Sequence, residues 1–207
     1  AIVSADGESD RPLLSDEHGV WLRGDIAGIL CARYLGADAI SIPVSCNSAV
    51  EKCGWFRDVR RTRIGSPYVI ASMQAAVENG FRRVVGYEAN GGFLIQSNLA
   101  REGKELRALP TRDALIVLLS VLHLARLERQ TISQLAAALP ARHTASDRLQ
   151  HIPIDRSRAV LDQFTLGDPA ADRVSGNDEL EAAPGPLGRL RREHRVVGDG
   201  GRQREVV

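Results

Sequence analysis

The stretch GDIAGILCARYLGADAISIPV, residues 24–44, predicts a helix followed by a buried strand. Asp25 is a typical helix N-cap, apolar residues recur at helical spacing as far as Leu35, and Gly36 is a typical C-terminal stop. Residues 39–44 form an apolar run of the kind found in strands that are buried inside a sheet. Together they predict the first helix and strand of an α/β domain.

The same alternation of strands and helices continues downstream. Further strands are predicted at 56–60 and 83–87, and further helices at 67–78, 112–129 and 131–139. The helix at 112–129 is apolar on more than one side, which predicts that it is well buried, and Ser133 is a possible cap of the last helix. The pattern indicates an α/β fold with a mixed, largely parallel sheet and helices on both faces.

The segment ADGESDRPLL, residues 5–14, carries the first candidate site. Three carboxylates stand at alternate positions in it: Asp6, Glu8 and Asp10. The apolar pair Ile2 and Val3 predicts a buried strand just before them, so the carboxylates would follow the carboxyl end of a strand, where open α/β sheets place ligands. Hard oxygen ligands that converge on one face of a loop are what Mg²⁺ or Ca²⁺ requires, and a metal loop is the first hypothesis.

Two other interpretations of this loop compete with the metal site. A solvated acidic turn after a strand needs no metal, and the spacing alone leaves that alternative open. An EF-hand calcium loop would use Glu17 at its twelfth position, but it needs glycine at the sixth, where Arg11 stands before rigid Pro12. Residues 13–22 instead predict a small hairpin around Glu17, His18 and Gly19.

The second candidate site is the glycine-rich stretch VVGYEANGGFL, residues 84–94. Glu88 and Asn90 present a carboxylate and an amide from the loop after a strand, beside Gly91, which allows close approach of the backbone. A carboxylate that accepts and an amide that both donates and accepts can bind vicinal hydroxyl groups, as sugar recognition requires. The alternative is an ordinary Asn-Gly hairpin turn, and the spacing does not separate the two.

Composition excludes several classes of protein. The 207 residues carry a formal net charge of +1, so no overall field favours nucleic acid or membrane partners. Three cysteines without a C-x-x-C pair argue against a disulfide scaffold or structural zinc site and fit a reducing cytoplasm. No signal peptide is visible, and residues 114–125, the longest apolar run, are too short to span a bilayer. Residues 181–204, rich in Gly, Pro and Arg, predict a disordered, solvated tail.

Five motifs in order resemble the α-D-phosphohexomutase superfamily, in particular its bacterial phosphomannomutases: ADGESDRP, GDIAGILCARYLGAD, RRTRIGSPYVIASM, GYEANGGFL and LPTRDALIVLL. The resemblance covers about residues 1–165. It implies three domains. Residues 1–22 would be the end of the family's second domain and carry the metal loop, and residues 23–140 would be a third α/β/α domain that carries the sugar-binding loop. Residues 141–207 would be the start of a truncated or altered fourth domain with the disordered tail.

The resemblance implies a role for each matching residue. Asp6, Glu8 and Asp10 match the magnesium loop, with Glu8 where many members have Asp, and Arg11 matches a catalytic arginine that balances phosphoryl charge. Three residues match the sugar-binding loop: Glu88, Asn90 and Gly91. Ser45 and Asn47 lie at another strand end facing the same cleft.

The implied reaction moves phosphate between C6 and C1 of mannose or glucose phosphate through a phosphoserine. No Ser-His-Asn-Pro segment of the kind that carries this serine occurs in the chain; residues 143–146 lack the pattern. Residues 173–177 (RVSGN) resemble the family's phosphate loop but come early for it. Because the chain begins without Met inside a predicted strand, we expect a fragment that is inactive alone; a non-catalytic sugar-phosphate or metal-binding module is the alternative.

Overall fold

The computed structural model describes residues 1–101, 103–145 and 150–161. The chain divides into two compact units, Ala1–Thr144 and Ala145–Val207. The predicted tail at 181–204 and the phosphate-loop resemblance at 173–177 lie outside the described residues.

The first unit contains a two-stranded ribbon and a four-stranded sheet. The ribbon pairs β1 (Val3–Ala5) antiparallel with β2 (Pro12–Leu14). The sheet has the order β4-β3-β5-β6, and its strands are β3 (Ala39–Pro43), β4 (Asp58–Thr62), β5 (Val84–Tyr87) and β6 (Phe93–Ile95). Strands β4, β3 and β5 run parallel to one another, and β6 runs antiparallel to β5. A second ribbon joins β7 (Leu99–Arg101) to β8 (Lys104–Leu106).

Among its described residues this unit also has five helices: α1 (Gly24–Leu35), α2 (Ala49–Lys52), α3 (Ser66–Glu78), α4 (Ala114–Glu128) and α5 (Ile132–Ala137). Alternate residues of each strand point to opposite faces of the sheet, so Ile40 and Val85 share a core with α1 and α4, whereas Ala39 and Val84 share one with α3. The prediction of a mixed, largely parallel sheet with helices on both faces is confirmed. In the second unit the described residues contain the helix α6 (Ile154–Leu161).

The long helix α4 is less buried than its sequence predicted. Val117 and Val121 are fully buried in the core that includes α1, but Leu115 and Leu119 on the other side are 66% and 62% exposed. The prediction that this helix is well buried is therefore wrong for its outer side, because α4 packs through one face only. No helix in the described ranges is long and apolar enough to cross a membrane.

The strand predicted at Ile2 and Val3 is present but exposed. Ile2 is 60% and Val3 47% exposed, because β1 belongs to a two-stranded ribbon and, within the part of the chain that the structure describes, pairs with β2 alone. The prediction that it is buried is therefore wrong. Its position relative to the carboxylates is as predicted, since β1 ends at Ala5, directly before Asp6.

Two helix caps differ from the sequence prediction. Arg23, not Asp25, occupies the N-cap position of α1, because the fully buried Asp25 carboxylate turns to accept a hydrogen bond from the Asn47 backbone N–H at 2.8 Å. Thr131, not Ser133, caps α5, since Thr131 and Gln134 form a reciprocal capping box.

The strand predicted at 56–60 begins two residues later, at Asp58, opposite Ala39 of β3.

The hairpin predicted around Glu17 is present and joins the ribbon to α5. Ser15 pairs with Trp21, and the Glu17 carboxylate accepts hydrogen bonds from the Ser133 hydroxyl and, at 3.3 Å, from the Ser133 N–H. Hydrogen bonds from Ser133 and Thr131 lower the pKa of Glu17 from 4.5 to about 2. The folded state therefore favours the ionised carboxylate.

We expect Glu17 to stabilise the fold above pH 4.5 and to lose this contribution as the pH falls toward 2. Unfolding of the wild type and Glu17→Gln should be followed in urea between pH 7 and pH 2. The variant should be less stable at pH 7, and the two curves should converge at low pH. Glu78→Gln, at the exposed end of α3, is the matched control; a difference for Glu17→Gln that does not change with pH would contradict the prediction.

Candidate functional site

Three loops meet at one edge of the sheet because β3, β4 and β5 run parallel. They follow the carboxyl ends of these strands at residues 44–48, 63–65 and 88–92. We call residues 88–92 the glycine loop and residues 6–11 the acidic loop. Pro12 directly follows the acidic loop and packs against Gly91 of the glycine loop: a Cβ atom built on Gly91 would lie 3.0 Å from the Pro12 ring. The acidic loop therefore lies at the same edge of the sheet.

The acidic loop folds so that its three carboxylates converge. Asp6, Glu8 and Asp10 each offer an oxygen, and these oxygens lie within 4.8 Å of one another. The Asp6 carboxylate accepts from the Asp10 N–H at 3.2 Å, and Ser9 adopts a left-handed conformation with φ 59°. This tight turn reverses the chain within the loop and brings the alternate side chains together, as their spacing predicted.

Arg11 lies among all three carboxylates. Its guanidinium is 3.6 Å from Asp6, 3.6 Å from Glu8 and 3.7 Å from Asp10, which are ion-pair distances longer than a hydrogen bond. The buried Nε of Arg11 and the buried Oδ1 of Asp10 have no hydrogen-bond partner among the described residues. Arg11 therefore balances the charge of the loop without saturating its oxygens.

These residues fit a small divalent cation. Carboxylate oxygens are the ligands that Mg²⁺ prefers, and the unpartnered Oδ1 of Asp10 is an oxygen that a metal would satisfy. The three oxygens lie within 4.8 Å of one another, so one such ion could take a ligand from each residue after at most a small side-chain movement. Glu8, whose side chain is 75% exposed, has the freedom to make that movement.

Arg112 joins the acidic loop to the glycine loop. Its Nη1 donates to Asp10 Oδ2 at 2.8 Å, its Nε donates to Glu88 Oε2 at 2.9 Å, and its Nη2 donates to the Ser66 hydroxyl at 3.1 Å. The hydrogen bond from Arg112 is the main cause that lowers the pKa of Asp10, and it raises the pKa of Arg112. One guanidinium thus holds carboxylates from two separate segments of the chain.

The sequence prediction did not include Arg112 or Ser66 among the site residues. Arg112 directly precedes Asp113, the N-cap of α4, so it lies where the positive end of the helix dipole disfavours a cation. An arginine at that position needs nearby carboxylates to stabilise it, and this was the signal in the sequence that could have identified it.

The glycine loop is both a hairpin turn and a platform for Glu88. The Glu88 N–H donates to Gly92 at 3.0 Å, Gly91 has φ 90°, and the loop connects β5 to β6, so the hairpin alternative is confirmed. The same turn buries Glu88 to 6% exposure and directs its carboxylate to Arg112 and Ser66, while Asn90 is exposed at the tip. The turn and a ligand-binding role are therefore compatible.

The two residues at the end of β3 have different surroundings. Ser45 is exposed, whereas Asn47 is buried and its side-chain amide donates to Arg142 O at 3.1 Å and to Thr144 Oγ1 at 2.8 Å. The Asn47 amide therefore anchors the last residues of the first unit. In the structure the acidic loop, Arg11, Glu88 and the tip of the glycine loop come together, and Asn47 serves the packing beside them.

Comparison with known proteins gives a family match and two long sequence matches. Residues 23–143 match the family model of phosphoglucomutase/phosphomannomutase α/β/α domain III. The chain is 48% identical over 161 residues to a phosphomannomutase of Salmonella muenchen, covering 78% of this chain and 33% of that protein. It is 45% identical over 189 residues to a phosphomannomutase of Sinorhizobium fredii, covering 87% of this chain and 40% of that protein. The chain thus spans a third to two fifths of these relatives.

Solved structures support the fold. A crystal structure of N-acetylglucosamine-phosphate mutase in a substrate complex, described as a member of the α-D-phosphohexomutase superfamily, superposes with a TM-score of 0.50 at 19% identity. The match covers 67% of this chain and 33% of that chain.

Proposed function

The chain belongs to the phosphoglucomutase/phosphomannomutase family, as its motifs predicted, and from this premise we propose that it carries part of the active site of a phosphohexomutase. The reaction moves phosphate between C6 and C1 of a hexose phosphate, mannose or glucose 1- or 6-phosphate, through a phosphoserine enzyme. The proposal includes the division into residues 1–22, 23–140 and 141–207 given by the motifs.

One observation carries this proposal: Arg112 bridges Asp10 of the acidic loop and Glu88 of the glycine loop. A metal loop and a sugar-binding loop can act together in a phosphoryl transfer only if both contact the same substrate molecule. Because a single guanidinium bonds both loops, a ligand held by Glu88 would lie next to the carboxylates of the acidic loop. The arrangement therefore supports one combined site for metal and sugar phosphate.

The acidic loop would hold Mg²⁺ through Asp6, Glu8 and Asp10. Bound there, Mg²⁺ would neutralise charge on the phosphoryl group during transfer. Arg11 already lies within 3.7 Å of each carboxylate, so its guanidinium can turn from the carboxylates to phosphoryl oxygens without crossing the site. Its role is to balance phosphoryl charge as it develops.

The glycine loop would orient the sugar. Glu88 offers a carboxylate that accepts hydrogen bonds from ring hydroxyls, and the exposed Asn90 amide at the tip can donate and accept. Gly91, with φ 90°, is buried against the Pro12 ring, so in the proposed sugar-binding loop its missing side chain lets the backbone turn and lets the acidic loop pack beside Glu88 and Asn90. Hydroxyl recognition of this kind suits a mutase, because the sugar must present first one end and then the other to the phosphoryl group.

We assign the reaction to the cytoplasm. Cys31, Cys46 and Cys53 are free thiols, as expected in a reducing compartment. Burial raises the pKa of Cys46 to about 12, which keeps that thiol protonated and unreactive.

Calorimetry with mannose 1-phosphate and Mg²⁺ tests the proposal. We expect the wild type to bind and Glu88→Gln to bind about 10- to 100-fold more weakly, since hydrogen bonds to a charged group contribute roughly 1.5–3 kcal/mol. Glu78→Gln is the matched control and should bind like the wild type. Equal affinity of the wild type and Glu88→Gln would contradict the role of the glycine loop.

A turnover assay on these 207 residues distinguishes an active mutase from a chain that binds its ligands without catalysis. No segment matching the phosphoserine motif occurs in them, so we expect binding without mutase turnover, even with glucose 1,6-bisphosphate added. A measured rate that is lost in Asp10→Ala would contradict this expectation.

A further inference from the structure

Arg112 donates a hydrogen bond to one oxygen of the Asp10 carboxylate, whereas the other oxygen lies at the longer ion-pair distance of 3.7 Å from the Arg11 Nε. The Arg112 Nη1 donates to Oδ2 at 2.8 Å, whereas Oδ1 is buried without a hydrogen-bond partner among the described residues. The two oxygens of one carboxylate thus have different environments. The hydrogen bond occupies one lone pair of Oδ2 and places the positive charge of Arg112 beside that oxygen, which disfavours a cation that binds Oδ1 and Oδ2 together.

The guanidinium cannot follow Asp10 if that carboxylate rotates. Its Nε and Nη2 both lie 2.9 Å from Glu88 Oε2, and Nη2 also donates to Ser66. Its aliphatic stem passes directly beneath Gly92, where a Cβ atom would be 2.8 Å from Arg112 Cδ. Arg112 is therefore held from the glycine-loop side, and Asp10 is oriented by a fixed donor.

This orientation has a consequence for the choice of metal. Ca²⁺ takes six to eight oxygens and readily accepts both oxygens of one carboxylate, whereas Mg²⁺ demands near-octahedral geometry with short bonds to single oxygens. We propose that Arg112 is a positioning and specificity-determining residue, which restricts Asp10 to one-oxygen coordination and thereby favours Mg²⁺ over Ca²⁺. The inference rests on the metal site of the proposed function and adds its selectivity.

Charge alone would act differently from this geometric restriction. Removing the guanidinium makes the site more negative and strengthens the attraction of any cation. That effect is about the same for two ions of equal charge, so it largely cancels in the ratio of their dissociation constants. The ratio for Ca²⁺ over Mg²⁺ therefore reports on the geometry that Arg112 imposes.

Competition against Mn²⁺, followed by the electron paramagnetic resonance signal of free Mn²⁺, measures this ratio without any need for activity. We expect the ratio to fall about tenfold in Arg112→Gln, in the range found when residues that orient metal ligands are removed. Arg112→Lys keeps the charge but lacks the rigid planar fork of donors that fixes Asp10 relative to Glu88, and Gly92→Ala keeps the arginine but displaces its stem, so both should lower the ratio too. Arg33→Gln removes an arginine that pairs with Glu128 and should leave the ratio unchanged.

Several outcomes would overturn the inference. If Arg112→Lys and Gly92→Ala fold, as judged by circular dichroism, and keep the wild-type ratio, Arg112 does not set selectivity, even if Arg112→Gln itself fails to fold. If the wild type binds none of the three ions, the metal site and the inference fall together. If the ratio falls as expected but mannose 1-phosphate does not bind, the sugar-binding part of the proposed function fails while the inference stands.

Discussion

Replacing Gly24 with alanine is expected to lower the free energy of unfolding by about 3 kcal/mol, at the upper end of the cost of overpacking. A Cβ atom on Gly24 would lie 2.2 Å from the Gly91 nitrogen and 2.4 Å from the Asn90 carbonyl carbon. Both are backbone atoms and cannot rotate away. Either the start of α1 or the glycine loop must move.

The same change should also weaken ligand binding, because the glycine loop carries Glu88. Urea unfolding and calorimetry with mannose 1-phosphate measure the two effects on one preparation. Gly7→Ala is the matched control for stability: a Cβ atom there meets nothing within 4 Å, and alanine should change the free energy of unfolding by no more than about 1 kcal/mol. A Gly24→Ala protein as stable as the wild type would contradict the close approach of α1 to the glycine loop.

Local sequence patterns predicted most of the fold. The helix at 24–35 and the strand at 39–43 follow from apolar periodicity and from Gly36, which takes the left-handed conformation that ends the helix. The burial of α4 was not predictable, because the number of sides that a helix buries depends on which elements lie around it. Asp25 was misplaced as a cap for a similar reason: its partner, Asn47, is 22 positions away.

The sequence predicted the two loops of the candidate site but not the contact that joins them. The spacing of Asp6, Glu8 and Asp10 sufficed to predict that they converge, and a strand followed by Glu88-Ala89-Asn90-Gly91 sufficed to predict a loop at the end of that strand. The bond between Arg112 and Asp10 spans 102 positions and depends on how β6 returns the chain to the site. No local pattern encodes that contact.

Replacing Asp10 with asparagine is expected to weaken Mn²⁺ binding more than about 100-fold, beyond the 10- to 100-fold effect of residues that only orient metal ligands. The change removes one of three carboxylates and neutralises a ligand. It also removes the negative charge that Asp10 places beside the Arg112 guanidinium, so less of that positive charge is balanced close to the cation, which acts in the same direction. Asp58→Asn is the matched control, because Asp58 pairs with Arg60 on β4 outside the acidic loop, and its variant should bind Mn²⁺ like the wild type.

The central claim is that the acidic loop and the glycine loop form one site for a metal ion and a hexose phosphate. The most direct test is the relaxation of the ³¹P nucleus of mannose 1-phosphate by Mn²⁺ bound to the protein. We predict strong relaxation with the wild type and with Asp58→Asn, and relaxation reduced to that of protein-free Mn²⁺ with Asp10→Asn. Relaxation by the wild type no stronger than that by Asp10→Asn would contradict the claim.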